Sequence, residues 1–286
     1  MGFHMGHVAV RVPDVEGYVR YMQAALGLHL VGTGDTTTYL ASTTGRHELQ
    51  VSDGESGFDH VGLLLDSSDE FDVAVRRALA AGGTRVEDVD EPGAARSAMI
   101  AGPAGVRHQI YVSSNPEPTG LAFSLGDGVR RLGHLTFMST EASALARFWT
   151  DGLGFRISDK ASRGITWTRC DAYHHSLAVG PHQGTTVLHH QAWEVQDVTG
   201  LTKHCDRNAL ADRPQIWGPV RHGPGFNLAT YMPDPSGALI EVYTDLLMIT
   251  DEVNYTPVDW EQYPRFLNLW GPMAPPEFQA AGLPLA

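Results

Sequence analysis

Residues 6–28 read GHVAVRVPDVEGYVRYMQAALGL, and residues 133–155 read GHLTFMSTEASALARFWTDGLGF. Each stretch opens with Gly-His, continues as an extended apolar run, passes into a helix-like segment and closes on Leu-Gly, so that His7 to Gly27 and His134 to Gly154 share one spacing. Self-similarity of this kind marks a tandem duplication. Downstream, FDHVGLLLD around His60 parallels LHHQAWEVQD around His190, and AGPAGVRHQIYV parallels PDPSGALIEVYT, which sets Gln109 against Glu241. The first copy therefore presents His7, His60 and Gln109 where the second presents His134, His190 and Glu241. Two imidazoles and one carboxylate leave coordination positions open, a set suited to iron(II) oxygen chemistry. Only the second copy has the carboxylate, so one active centre per chain is expected, in the C-terminal half.

The chain of 286 residues is long enough for about two domains. The repeat places their junction near residues 118–130, in PTGLAFSLGDGVRRLG. This predicts a first domain over 1–125, a second over 126–250 and an extension over 251–286. A formal charge of −13 argues against a nucleic-acid groove, which needs clustered Lys and Arg, and for a small-molecule substrate. Cys170 and Cys205 are the only cysteines, so a disulfide framework is not expected and a reducing compartment is. No run approaches the roughly 18 apolar residues of a membrane span, and the N-terminus has no basic segment leading into an apolar core. A cytoplasmic protein without membrane partners is expected.

Periodicity predicts an α+β fold with a βαβββ unit in each module. In the first helix Val15, Tyr18, Val19, Met22 and Leu26 share a face, with Asp14 as N-cap and Gly27 as the stop. Leu145, Phe148 and Trp149 repeat the stripe in the second copy. Strands are expected at HLTFM, SLAV, HQAWEV, LATYM and ALIEVYT, which puts His190 and Glu241 on strands. Asp234-Pro235-Ser236-Gly237 predicts a hairpin turn that lays the Tyr231 strand beside the Glu241 strand. His174 and His189, each one residue before a chosen histidine, are expected on the opposite sheet face.

His134 in GHLTF, His190 in LHHQAWEV and Glu241 in DPSGALIEVY, set in duplicated modules, resemble the type I extradiol ring-cleavage dioxygenases of the vicinal oxygen chelate superfamily. The catechol 2,3-dioxygenase and homoprotocatechuate 2,3-dioxygenase branches are nearest in pattern. The likeness covers residues 4–248 and is most specific in RHGPGFNLATYMPDPSGALIEVYTD. It implies a glyoxalase-like fold, with a mixed sheet curved into a cup in each module and the metal in the C-terminal cup on His134, His190 and Glu241. The N-terminal set is then vestigial. The resemblance further implies His175 as acid–base residue, with His222 and Tyr231 holding the diol oxygens; Trp167 and Trp217 are candidates for the substrate pocket. In the homoprotocatechuate-type enzymes an arginine shortly before the His222 position grips a substrate carboxylate. Here QIWGPVRH places Trp217 in that neighbourhood, which favours an apolar or bulkier ring substituent.

The activity so implied is Fe(II)-dependent extradiol (meta) cleavage of a catechol, with both atoms of O2 incorporated. Mn(II) suits the same hard ligand set. Two other readings stay open within the superfamily: a metal-dependent glyoxalase or epimerase, which uses a second carboxylate as base, and a metal-free binding protein. Beyond residue 250, VNYTPVDWEQYPRFLNLWGPMAPPEF has too many prolines for a long helix. Its Trp260, Tyr263, Phe266, Leu267 and Trp270 supply apolar surface for docking, either as a cover over the C-terminal cup or as a contact arm in a homo-oligomer.

Overall fold

The structure, a computed structural model, describes residues 2–86, 92–114, 128–161 and 164–286. Among these, the expected βαβββ unit occurs twice in each half. The first unit comprises β1 (Phe3–Val12), α1 (Val15–Leu26), β2 (His29–Thr33), β3 (Thr37–Ala41) and β4 (Leu49–Asp53). The second comprises β5 (Gly57–Leu65), α2 (Phe71–Ala80), β6 (Thr84–Arg85), β7 (Ala94–Ala101) and β8 (Arg107–Ser113). The third is β9 (Arg131–Ser139), α3 (Ala142–Arg147), β10 (Arg156–Ala161), β11 (Ile165–Arg169) and β12 (Leu177–Pro181). The fourth is β13 (Val187–Glu194), α4 (Val198–Leu210), β14 (Trp217–Arg221), β15 (Leu228–Pro233) and β16 (Leu239–Thr244).

The first two units merge into one mixed sheet ordered β2-β3-β4-β1-β5-β8-β7-β6, and the last two into another ordered β14-β15-β16-β13-β9-β12-β11-β10. In each, the opening strands of the two units pair antiparallel at the centre, and each has its own unit's closing strand parallel on its outer side. The bridging stretch near 118–130 lies mostly outside the described residues. Where the chain emerges, Val129 donates to the Leu26 carbonyl and Arg130 to the Glu194 carbonyl, which ties the second sheet to the end of α1.

Local chemistry accounts for the elements. The Asp14 side chain accepts the Gly17 N–H at 2.8 Å and caps α1, while Gly27, at φ 75°, ends it in the left-handed conformation that glycine tolerates. Tyr18, Met22 and Leu26 are buried, with Val15 and Val19 packed at the edge of the same core. Leu145, Phe148 and Trp149 are buried as expected. Both cysteines are free. No helix among the described residues is long and apolar enough to cross a membrane.

Polar contacts lock the halves together. Tyr18 Oη donates to Asp234 Oδ2 at 2.9 Å, and Gln191 Nε2 donates to the same oxygen at 2.6 Å. Helix α1 of the first half thus holds the turn between β15 and β16. Glu48 Oε1 accepts the Leu132 N–H at 2.9 Å, and the Trp149 indole donates to His108 Nε2 at 2.9 Å.

Burial of His108 between the halves pushes its pKa from 6.5 down to about 4. The unfolded chain takes up this proton near pH 6.5 and the folded protein only near 4, so stability is full above the first value and falls as pH drops toward the second. The loss is ~3 kcal/mol at about 1.4 kcal/mol per pH unit. Urea unfolding of the wild type and His108→Gln at pH 7 and pH 4 checks this. The variant is expected to be less stable at pH 7, and to lose ~3 kcal/mol less on acidification.

The C-terminal segment lies on the second sheet. It adds β17 (Val258–Asp259) beside β10, a short helix α5 (Pro276–Ala280) and β18 (Leu283–Pro284) beside β13. Ala286 N then donates to the Phe58 carbonyl in the first half. Trp260 and Phe266 are buried against Trp167, and Leu267 is half-buried. Tyr263 and Trp270 depart from expectation. They are 46% and 63% exposed, Tyr263 resting against Trp260 and Trp270 under the Arg221 guanidinium at the surface.

Candidate metal centre

Strand register assembles the centre. His134 of β9 stands opposite Ala192 of β13, Ala192 stands beside Glu241 of β16, and Glu241 stands opposite Tyr231 of β15. These four residues form one row across four adjacent strands. Alternate residues of a strand share a face, so His190 projects on the same side as Ala192. Ala192 contributes only a methyl group between the ligand candidates. Ligand atoms of His134, His190 and Glu241 all lie within 4.8 Å of one another, and all three residues are buried.

Hydrogen bonding shows that this set fits a divalent cation. The Phe278 carbonyl can only accept, so His189 Nε2, 2.8 Å away, carries a proton. Burial pushes the pKa of both His189 and His190 down, so both are neutral near pH 7. His189 Nδ1 then accepts from His190 Nδ1–H at 2.7 Å, which leaves His190 Nε2 with a lone pair. That lone pair faces Glu241 Oε2 at 3.2 Å, and His134 Nε2 meets the same oxygen at 3.2 Å. Two lone pairs facing across a buried gap call for a cation between them. Burial works to raise the Glu241 carboxyl, but the opposing pull, led by His134, holds it at about 2. Asn227 Nδ2 donates to Glu241 Oε1 at 2.9 Å and orients the carboxylate.

The expected positions of His174 and His189 are corrected. Neither turns away from its neighbour; each bonds to it through Nδ1. A β-bulge between Leu188 and His190 breaks the alternation at His189, and His174 lies in an irregular stretch before β12.

His175, His222 and Tyr231 surround the triad. The His175 and His134 rings lie 4.2 Å apart between centroids. Burial, with His134 and His174 adjacent, keeps the His175 pKa well below 6.5. His222 Nδ1 donates to the Leu267 carbonyl at 2.6 Å, so the C-terminal segment sets its orientation. The single Tyr231 proton has two acceptors, Glu241 Oε2 at 2.8 Å and His222 Nε2 at 2.7 Å. Burial and the Glu241 charge hold the tyrosine well above its ordinary pKa.

The groups open into a cavity of about 340 Å³ walled by Met138, Ile165, Trp167, Leu267 and Phe278. Trp167 lines it. Trp217 does not: it pairs with Tyr231 just before a register shift in the β14–β15 ladder and stacks on it with centroids 5.4 Å apart, so it backs the tyrosine instead of facing the cavity. Arg221 points away, toward Asp245 and the Phe226 carbonyl. Among the described residues, no lysine or arginine lines the cavity, and Glu241 is its only carboxylate. Ala192, Asn227 and Phe278 went unassigned at the sequence level, whereas Leu267 was read as part of the docking tail. A small residue in an otherwise bulky strand was the one readable signal among them.

The first cup repeats the row as His7 on β1, Gly62 on β5 and Gln109 on β8, with His60 two residues before Gly62. His7 Nε2 and His60 Nε2 are 3.0 Å apart, and His60 Nε2 is 3.1 Å from Gln109 Oε1. The His7 ring lies over Gly62, where a Cβ would come within 2.2 Å of Cε1. The imidazole thus fills the middle of the row.

Sequence comparison agrees with this architecture. The model of the Glyoxalase/Bleomycin resistance protein/Dioxygenase superfamily matches residues 4–110 and 131–242, and the chain belongs to that superfamily. It is 26% identical over 293 aligned positions to metapyrocatechase 2 of Cupriavidus necator, covering 95% of this chain and 90% of the relative. The homoprotocatechuate 2,3-dioxygenase of Arthrobacter globiformis superposes with a TM-score of 0.86 at 23% identity, over 99% of this chain and 92% of that one. The Mn(II)-bound glyoxalase of Novosphingobium aromaticivorans superposes with a TM-score of 0.85 at 22% identity, over 96% and 92%. At these identities the two structural likenesses speak for the fold alone.

Proposed function

We propose that the protein is an extradiol dioxygenase that cleaves a catechol bearing an apolar substituent, with Fe(II) or Mn(II) held by His134, His190 and Glu241. The observation that carries this reading is the pairing of a one-carboxylate triad with three further proton-handling residues in an apolar cavity. Bound to the triad, the metal supplies a Lewis acid that acidifies the diol and an electron source for O2.

The chain's own residues do the rest. Neutral His175 takes a proton from a diol hydroxyl at a ring nitrogen and later returns one, the general-base and general-acid role of an imidazole. Tyr231 and His222 hold the diol oxygens in orientation. Leu267 and Phe278 bring the C-terminal segment into the cavity wall, where it excludes water. A glyoxalase or epimerase needs a second carboxylate as base, and no described cavity residue other than Glu241 supplies one.

Anaerobic reconstitution with Fe(II), and separately with Mn(II), followed by an aerobic catechol panel tests the proposal through oxygen uptake and ring-fission absorbance. An unpaired carboxylate buried against this wall costs several kcal/mol, roughly 2–7 on transfer scales for polar groups and more for charged ones. Aryl- or alkyl-substituted catechols are therefore expected to exceed carboxylated ones in kcat/KM by at least about tenfold. Stoichiometric metal with no oxygen uptake on any catechol would refute the reading.

A further inference from the structure

A buried chain of three side chains runs from Asp159 on β10 to the cavity. His174 Nε2 lies 3.0 Å from Asp159 Oδ2, and His174 Nδ1 lies 3.0 Å from His175 Nδ1. An ionised carboxylate only accepts, so the His174 Nε2 nitrogen carries the proton. With that one proton on His174, its Nδ1 offers a lone pair, and the shared bond is donated by His175 Nδ1–H. Each link dictates the next, and His175 is left with an unprotonated Nε2.

We infer that Asp159, acting through His174, is a positioning residue that fixes the Nδ1–H tautomer of His175 and so leaves its Nε2 free to accept a proton. The inference deepens the function proposed above and rests on His175 being the acid–base residue. It differs from a carboxylate–histidine pair in that a second imidazole is interposed, which inverts nothing at the far end: Asp159 still selects which ring nitrogen is bare. Residues 159 and 174 lie on different elements, so no single stretch of sequence displays the arrangement.

Asp159 has further donors. Its Oδ2 accepts the Trp260 indole N–H at 2.6 Å, and its Oδ1 accepts the Val258 N–H at 2.7 Å and Tyr255 Oη at 3.2 Å, all from the C-terminal segment. Five-way saturation is absent, but four protein donors on one buried carboxylate leave it little freedom to rotate away from His174. Those same contacts define the competing role, in which Asp159 only anchors the segment and His174 merely fills space.

The metal-free, full-length protein labelled with 15N at histidine separates the two. Long-range 1H–15N spectra distinguish a protonated from a bare ring nitrogen, and His175→Asn assigns the His175 signals. In the wild type, His175 is expected with Nδ1 protonated and Nε2 bare. His174→Phe keeps ring volume but removes the Nδ1 acceptor, and Asp159→Asn removes the carboxylate. In both, the His175 signals are expected to move toward a tautomer mixture. After metal loading, kcat is expected to fall at least about tenfold with KM within about threefold, since a wrong tautomer in a comparable carboxylate–histidine pair costs up to about 10⁴. His174→Gln, whose amide oxygen can accept from His175, is expected to recover part of the loss. A wild-type His175 protonated at Nε2 and bare at Nδ1 overturns the inference even if no variant folds. So does an unchanged His175 signature in folded His174→Phe. Because the spectra need neither metal nor catechol, they stand whether or not the protein cleaves a ring.

Discussion

Glu241→Gln is expected to yield a folded protein that no longer retains metal or cleaves a ring. The substitution writes the Gln109 of the first cup into the second, keeping the size of the side chain and one of the two oxygens that accept from Asn227 and Tyr231. What it removes is the one negative charge among three buried imidazoles, the charge that makes the site attractive to a divalent ion. Loss of an outer-shell partner typically costs about 10–100-fold in metal affinity. Removing an anionic ligand is expected to cost at least about 10²-fold, with activity falling below detection. Metal analysis after gel filtration and an oxygen-uptake assay read the two effects separately. His60→Ala alters the corresponding strand of the first cup and is expected to leave metal content at the wild-type value. Stoichiometric metal and near-normal turnover in Glu241→Gln would place the centre elsewhere.

The triad was legible because the chain carries its own comparison. With Gln109 in one copy and Glu241 in the other, a single residue separates a candidate ligand set from its counterpart, and equal spacing places both on matching strands. The hairpin was legible for a local reason: Asp234-Pro235-Ser236-Gly237 turns β15 back so that Tyr231 faces Glu241, and residue types alone announce such a turn. What period-2 reasoning could not see was where it fails. His189 sits at a bulge and His174 in an irregular stretch, so both join the site that strict alternation would deny them. Trp217 shows the reverse error. It pairs with Tyr231 and stacks behind the tyrosine, although β14 shifts register directly after it. Asp159 was hidden by distance, since its partners lie at residue 174 and in a tail more than 90 residues away. The duplication within each half was likewise hidden, because the two units of a half share strand order and little sequence.

His175→Phe is expected to keep its metal and its affinity for the catechol while losing most of its turnover. The ring is buried and packs against His134 with centroids 4.2 Å apart, so phenylalanine preserves the packing that positions the ligand. It abolishes the nitrogen proposed to exchange a proton with the substrate. General acid–base assistance by one positioned side chain is worth about 10²–10⁴ in rate, and kcat is expected to fall by that factor. KM stays within a few-fold, because Tyr231, His222 and the apolar wall still hold the diol. The His174 variants bear on the same step from one residue further out and are expected to lose less, since they displace a proton without deleting the nitrogen that carries it. If metal is lost from His175→Phe, the residue is a ligand and the triad has a fourth member. If kcat is unchanged under saturating oxygen, the proton passes by another route, and the shared tyrosine proton between Glu241 and His222 is the remaining group within reach of the same site.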